Sequence, residues 1–339
     1  MRSLLCAAGA AGIVLFAAAG PAVADGGGGA DGFTIEDTRI TESSGLAASR
    51  AHPGVYWTHN DSDDGPYVYA VDGRTGRTVA TVTLRGIGDP RDVEAISVGP
   101  DGNVYVGDIG DNLGGTWNHV WIYRFPEPRK LRDQTVTAAQ FTVKYDGGPR
   151  DAEAMMVHPK TGRVYIASKK KSGGAALYEG PERLAARGTN TFRRIAGIDQ
   201  WVTDGAFSPD GTRLLLRGYF GAEMYRWEGG RPKDIGSVGV PLQMQGESVT
   251  FALDGRTLLF GSEGKSSQVQ PVGLSGDQLP ESAKASDGKS GGGDGTGKGD
   301  AADGGQEAGG KNRNVLLAAA TFGVATVVVL ALRRMFRRR

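Results

Sequence analysis

The chain has 339 residues, only 8% of them aromatic, and sets 39 Lys and Arg against 38 Asp and Glu for a formal charge of +1. So even a balance, with no basic stripe along the body, excludes nucleic acid as a partner. The single cysteine, Cys6, lies in the N-terminal apolar run. The rest of the chain can therefore form no disulfide, thiolate metal site or cysteine nucleophile.

In chain order, Met1-Arg2-Ser3 is a short basic start, Leu4 to Ala19 is apolar, and Ala22-Val23-Ala24 is an A-x-A site. This pattern predicts a secretory signal peptide over residues 1–24, cut after Ala24 and taking Cys6 with it. Next comes "FTIEDTRI" from Phe33, a strand with no repeat of its own. A recurring phrase then fills the body, residues 31–274. Its instances are "SSGLAASRAHPGVYWTHND", "EAISVGPDGNVYVGDIGDN", "EAMMVHPKTGRVYIASKKK", "TDGAFSPDGTRLLLRGYFG" and "ESVTFALDGRTLLFGSEGK". Each pairs two apolar runs across a turn rich in Gly, Pro or Asp, the signal of a hairpin. Further strands complete the units: "YVYAVD" and "TVATVTL", "VWIYRF" and "AAQFTVKYD", "AEMYRW" and "KDIGSVG", and "QVQPVG".

A strand-only period of about 43 to 59 residues predicts a β-propeller with one four-stranded blade per repeat. The count is five blades, with a sixth degenerate blade inside the long second repeat as the alternative. The last repeat lacks a fourth strand. "FTIEDTRI" supplies it, closing the ring and removing an open edge. These phrases resemble bacterial secreted β-propellers of the WD40-like kind, with PD40-, NHL- or YVTN-like repeats. "FSPDGTRLLL" is similar to the PD40 type, and "DVEAISVGPDGNVYVGDIGDN" resembles a phrase of exported propellers. The Gly-His and Trp-Asp dipeptides of true WD40 repeats are absent. The resemblance is specific for architecture and implies no activity.

Residues 275–314 follow, mostly Gly, Ser, Asp, Lys and Ala, and predict a disordered linker. Val315 to Leu332 is uncharged and long enough for a transmembrane helix. The arginines among residues 333–339 predict a cytoplasmic tail, leaving the propeller outside the cell as a single-pass, monomeric ectodomain. Once the signal peptide and tail are set aside, the exported part carries an excess of acid.

A propeller gathers the starts of its inner strands and the loops after its second strands onto one rim. The strand starts bring Glu42, Asp92, Glu94, Asp151, Glu153, Asp204 and Glu247. Asp92 and Glu94, two apart, share one side of their strand, as do Asp151 and Glu153. The loops bring Asn60, Asp61, Asp108, Asp111, Asn112, Lys169, Lys170, Tyr219 and Glu263. Crowded carboxylates need water, cations or raised pKa values. Asp92, Glu94, Asp151, Glu153 and Glu247 with Lys169 are the candidate ligand-binding residues. Glu42, Asn60, Asp61, Asp108, Asp111 and Asn112 offer the oxygen donors of a calcium site. An ion held by Glu42, Asn60, Asp108 and Asn112 would resemble calcium-dependent lactonase and esterase propellers. "NDSDDG" at Asn60 begins like an EF-hand loop, but Val71 stands where its closing Glu would be. The competing reading makes these side chains caps of tight turns, with Arg91 and Arg150 neutralising the acidic pairs. No motif requires a cofactor, and neither G-x-S-x-G nor H-E-x-x-H occurs. The expected function is a membrane-tethered, cell-surface module that binds an extracellular ligand or protein through an acidic channel mouth. The alternative is a calcium-dependent hydrolase of ester, lactone or phosphate bonds.

Overall fold

The computed structural model describes residues 30–61, 64–170 and 174–290. The predicted signal peptide, the linker from residue 291, the span and the basic tail lie outside the described residues. Among the described residues, no helix is long and apolar enough to cross a membrane.

The body is all-β. A short strand, β1 (Phe33–Thr34), precedes β2 (Ser43–Ala48), β3 (Val55–Asn60), β4 (Tyr67–Asp72) and β5 (Thr78–Arg85). Then come β6 (Val93–Val98), β7 (Asn103–Asp108), β8 (Val120–Pro126), β9 (Gln134–Thr137) and β10 (Ala139–Tyr145). The third run is β11 (Ala152–Val157), β12 (Val164–Ser168), β13 (Ala175–Glu179) and β14 (Thr189–Ile198). The fourth is β15 (Val202–Phe207), β16 (Arg213–Gly218), β17 (Ala222–Glu228) and β18 (Arg231–Val238). The last is β19 (Gly246–Phe251), β20 (Thr257–Ser262) and β21 (Gln268–Gly273).

Apart from β9, the strands within each run pair antiparallel in sequence order. The leading strands β2, β6, β11, β15 and β19 pack side by side, and β19 returns to β2, so they form a closed ring. This is a propeller-like arrangement. The leading strands are buried almost throughout because each sheet is covered on both faces by its neighbours. Apolar layers fill the gaps between successive sheets. Trp57 meets Phe125 edge-on at 6.3 Å between the first two. Phe141, Met155 and Phe192 lie between the second and third, and Leu177 and Leu214 between the third and fourth. Leu215, Met224 and Phe260 join the fourth to the fifth. Phe33, Ile35, Tyr56, Leu259 and Val269 join the fifth back to the first.

The N-terminal strand sits where its unpaired sequence predicts. β1 pairs antiparallel with β21 through Phe33 opposite Val269, and Phe33 stacks on Tyr56 at 5.3 Å. The edge of β21 is thereby covered. The turn between the first two strands of every unit carries a glycine with positive φ: Gly54, Gly102, Gly162, Gly211 and Gly255. A side chain there would be strained, which accounts for the repeated turn signal.

Two features depart from the sequence reading. The extra length of the second repeat makes no sheet of its own. Its short strand β9 instead joins the edge of β5 in parallel. The outer strands β10 and β14 also pair in parallel, fusing the second and third units into one eight-stranded sheet.

The second departure is at the C-terminus. Residues 275–290, read from composition as disordered, hold a 3-10 turn (Gly276–Gln278) and a helix, α1 (Glu281–Ser290). Composition misses them because the docking energy is supplied by the body. The turn after β15 caps the helix: Asp210 accepts from the Ser282 amide at 2.8 Å and Thr212 from the Glu281 amide at 3.1 Å. The wholly buried Arg213 donates to the Asp277 carbonyl at 3.0 Å and to Glu281 at 2.7 Å. Arg256 donates to the Ala283 carbonyl at 2.7 Å. A body ending at Leu274 is therefore too short. Truncation there is expected to cost about 2 kcal/mol relative to a chain ending at Ser290, read as the difference in urea midpoints, because charged hydrogen bonds are lost.

Candidate functional site at the channel mouth

Every leading strand carries the same defect near its start. The pairing register slips between Ser43 and Leu46, Val93 and Ala95, Ala152 and Ala154, Val202 and Asp204, and Gly246 and Ser248. Such a bulge re-aims a side chain that regular pleating would send to the neighbouring sheet. The residues at the slip are Ser44, Glu94, Glu153, Thr203 and Glu247, and all five are buried. They form one tier around the axis. The loops after the second strands return above it and bring Asp61, Lys169, Tyr219 and Glu263.

The tiers meet in an acidic cluster. Oxygens of Asp61, Asp92 and Glu94 lie within 4.8 Å of one another. Ser44 donates to Glu94 at 2.9 Å across the first two units, and Asn112 donates to Asp92 at 3.0 Å. A Cβ at Gly110 would stand 2.6 Å from Asp92 and 2.8 Å from Glu94, so glycine leaves room for both. Glu153 pairs with Lys169, and that ammonium lies 5.9 Å from the Tyr219 ring. Asp61 Oδ1 and Glu247 Oε2 are buried and have no hydrogen-bond partner.

Burial dominates the electrostatics. It pushes Asp61 up to about 9, with the charge of Asp92 adding to it. Burial also raises Asp92, and it lifts Glu94 and Glu247 well above the carboxylate range, helped in both by Glu153. Glu153 is pushed up by burial only to about 7, because Lys169 opposes the shift. For Lys169, burial acts to lower the pKa, but Glu153 and its neighbours outweigh it and the ammonium stays charged. Lys169, with Arg217 beside Glu247, thus faces more carboxylates than the two can neutralise.

The structure brings only part of the predicted set to this point. Asp61, Asp92, Glu94, Glu153, Glu247 and Lys169 converge. Asp151 borders the cluster and accepts from the Asp111 amide at 3.0 Å. The remaining candidate metal ligands serve the backbone instead. Asn60 Oδ1 accepts from the amides of Thr41 at 2.9 Å and Glu42 at 3.0 Å. Asp108, at the same register, accepts from the amides of Arg91 and Asp92 and from the Tyr123 hydroxyl at 2.6 Å. Asp111 accepts from the amides of Thr116 and Trp117 and folds its own loop. Glu42 accepts through its carbonyl from the Asp61 amide and does not join the three-carboxylate group. Asp204 is held by the amides of Gly205 and Val249, each at 2.7 Å.

Neither arginine beside the acidic pairs makes an ion pair with them among the described residues. Arg91 is sandwiched 4.0 Å from Trp117 and 3.9 Å from Trp121. Arg150 donates to the Tyr178 hydroxyl at 2.7 Å. Sequence reasoning missed Ser44, which donates to Glu94, and Thr203, which donates to the Gly246 carbonyl. Aligning the five leading strands would have found them, since they occupy the column of Glu94, Glu153 and Glu247. It also missed the buried Arg217, whose guanidinium donates to the Ser248 and Gly261 carbonyls at 2.5 and 2.7 Å. A Cβ at Gly246 would collide with that group.

No family model matches the chain, and no curated protein does. Among solved structures it is similar to U3-55K, with a TM-score of 0.37 and 14% identity over 68% of each chain. It is also similar to a chain of a mitotic checkpoint complex, with a TM-score of 0.38 and 13% identity over 68% of this chain. There it spans 61% of the other chain's length.

Proposed function

We propose that the body is a five-bladed β-propeller that works as a cell-surface binding module, taking a positively charged ligand at its acidic mouth. The observation that carries this reading is the convergence of Asp61, Asp92, Glu94, Glu153 and Glu247 around the ammonium of Lys169. Buried carboxylates held partly protonated against their ordinary pKa are poised to exchange protons for another cation. Two further features support it. Leu113, Phe220, Leu242 and Met244 are exposed on loops of the mouth side and give the rim an apolar margin. The helix α1 docks on the turns after β15 and β19, at the opposite ends of the leading strands.

The hydrolase alternative gains no histidine at the cluster. His59 bonds the Asn60 carbonyl, His52 the Pro128 carbonyl, and His119 and His158 pack on Trp121 and Phe207. The test of the binding reading is calorimetric titration of the full-length protein with spermidine and with short lysine- and arginine-bearing peptides. Binding is expected, with Glu153→Gln and Glu247→Gln each weakening it about fivefold or more. Absence of heat for every cationic probe, inorganic ions included, would sink the reading.

A further inference from the structure

We propose that a cleft between the outer strands of the third and fourth units takes the guanidinium of an arginine carried on an extended segment of a partner protein. It shares no residue with the mouth and does not depend on the reading given there.

Two irregularities flank the cleft. Pairing of β13 with β14 slips between Leu177 and Tyr178 and leaves Ile195 unmatched. Pairing of β17 with β18 slips between Met224 and Tyr225 and leaves Ile235 unmatched. Bulges of this kind bend a strand and re-aim its side chains. Between them lies a cavity of about 460 Å³, within the usual size of a small-ligand site. Ala196 and Pro232 give it apolar wall, and its polar side chains are Asp199, Glu223, Asp234 and Tyr225.

Tyr225 makes this more than a group of acids. The residue is only 9% exposed, yet it lines the cavity, and among the described residues its hydroxyl has no hydrogen bond. Its ring is fixed by packing in the layer that holds Leu177 and Leu214. Burial raises its pKa to about 12, with Asp234, Glu223 and Asp199 adding to the shift, so the phenol stays neutral. A neutral phenol oxygen accepts from an N–H, and an unbonded polar group in so buried a residue marks where a donor can come.

The charge is complementary. Glu223 accepts from the Ser237 hydroxyl at 2.9 Å and Asp234 from the Gly236 amide at 2.7 Å, and each uses one oxygen only. Arg231 donates instead to the Ile195 carbonyl at 2.8 Å. Arg194 lies beside Gly197, its Nη2 3.1 Å from where a Cβ would stand, and makes no ion pair with the three acids. An arginine suits the remaining acceptors better than a lysine. Its planar fork of N–H donors meets several oxygens at once, and it gives up water more readily than an ammonium. Its stem can lie on Pro232 and Ala196.

The setting favours a protein segment over a free guanidine. The outer strands of the other units are covered: β5 by β9, β10 by β14 and β21 by β1. Only β18 ends its sheet bare along eight residues. An extended segment can run beside it and place its arginine in the cleft. Pro232 has no amide to offer and the bulge interrupts the ladder, so the arginine, not strand pairing, fixes the segment.

The experiment titrates the full-length protein by calorimetry with the capped pentapeptide Thr-Val-Arg-Val-Thr. Its citrulline counterpart, which keeps the shape without the charge, and agmatine, the guanidinium without the peptide, are run in parallel. Hydrogen exchange read by mass spectrometry locates the bound peptide. The arginine peptide is expected to bind with a Kd of about 1 mM or tighter and to slow exchange in residues 223–236. Citrulline should weaken it about tenfold, and Glu223→Gln, Asp234→Asn and Tyr225→Phe about threefold each, with Tm held. Absence of binding, equal affinity for the citrulline peptide, protection confined to the mouth loops, or affinity unchanged in all three variants would overturn the site. Agmatine binding as tightly as the peptide would overturn the partner segment.

Discussion

Replacing Lys169 with methionine is expected to cost about 3–5 kcal/mol of stability at pH 8, the usual penalty for removing one partner of a buried ion pair. Methionine keeps most of the apolar stem and removes only the charge. Lys169 is 17% and Glu153 3% exposed by side chain, so water cannot replace the lost cation. The ammonium also opposes the raised pKa values of Glu94 and Glu247. Without it, Glu153 would bind its proton more tightly still. The penalty should therefore be largest at high pH and shrink on acidification, as the carboxyl neutralises itself. Urea midpoints at pH 5 and pH 8 measure both. Adding Glu153→Gln to Lys169→Met should restore most of the loss. An equal loss at both pH values would mean that packing, not charge, explains the effect.

The ring itself was open to sequence reasoning because its causes are local. Each hairpin turn needs a glycine with positive φ, and each repeat therefore shows one. The leading strands, covered on both faces, read as apolar runs. "FTIEDTRI" could be placed because every other strand already had a unit. The site was only half legible, and the reason lies in the bulges. Regular alternation puts Asp92 and Glu94 on one side of a strand, but a register slip falls between Val93 and Ala95. A slip of one residue changes which face a side chain serves, and no residue type announces it. The same limit explains Asn60 and Asp108. As sequence they look like metal donors; in the fold each meets two amides of the preceding chain segment. The C-terminal helix fails for a different reason. Its own sequence is polar, and its stability is supplied by Asp210, Arg213 and Arg256, more than 20 residues upstream.

The protein is expected to be most stable at about pH 4 to 4.5 and to lose several kcal/mol by pH 9 in the presence of chelator. Asp92, Glu94 and Glu247, also raised by burial, deepen the decline towards high pH, and three further buried groups mark its segments. Glu153, pushed up by burial against the opposing charge of Lys169, has its folded pKa raised to about 7 from 4.5. A raised acid binds its proton more tightly when folded. Its contribution is full below the unfolded value and is lost as pH climbs through 7, about 3 kcal/mol in all. Asp61, raised from 3.8 to about 9, extends the decline to pH 9. His59 works in the opposite sense. Burial depresses it from 6.5 to about 4, with its Nδ1 on the Asn60 carbonyl and no partner for Nε2. Its stabilisation is full above 6.5 and disappears as pH falls through 4, again about 3 kcal/mol. Between these values the histidine and Glu153 offset each other, and Asp61 tilts the balance towards acid. Unfolding free energies measured from pH 4 to pH 9 should show a maximum near the acid end. Glu153→Gln should flatten the segment from 5 to 6.5, and Asp61→Asn the segment from 7 to 9, while Asp61→Asn alone should uncover the loss of stability below about pH 4.5 that His59 sets. A profile that rises steadily towards pH 9 would show that the mouth carboxylates are ionised in the folded protein, and that their burial has been compensated by something other than protons.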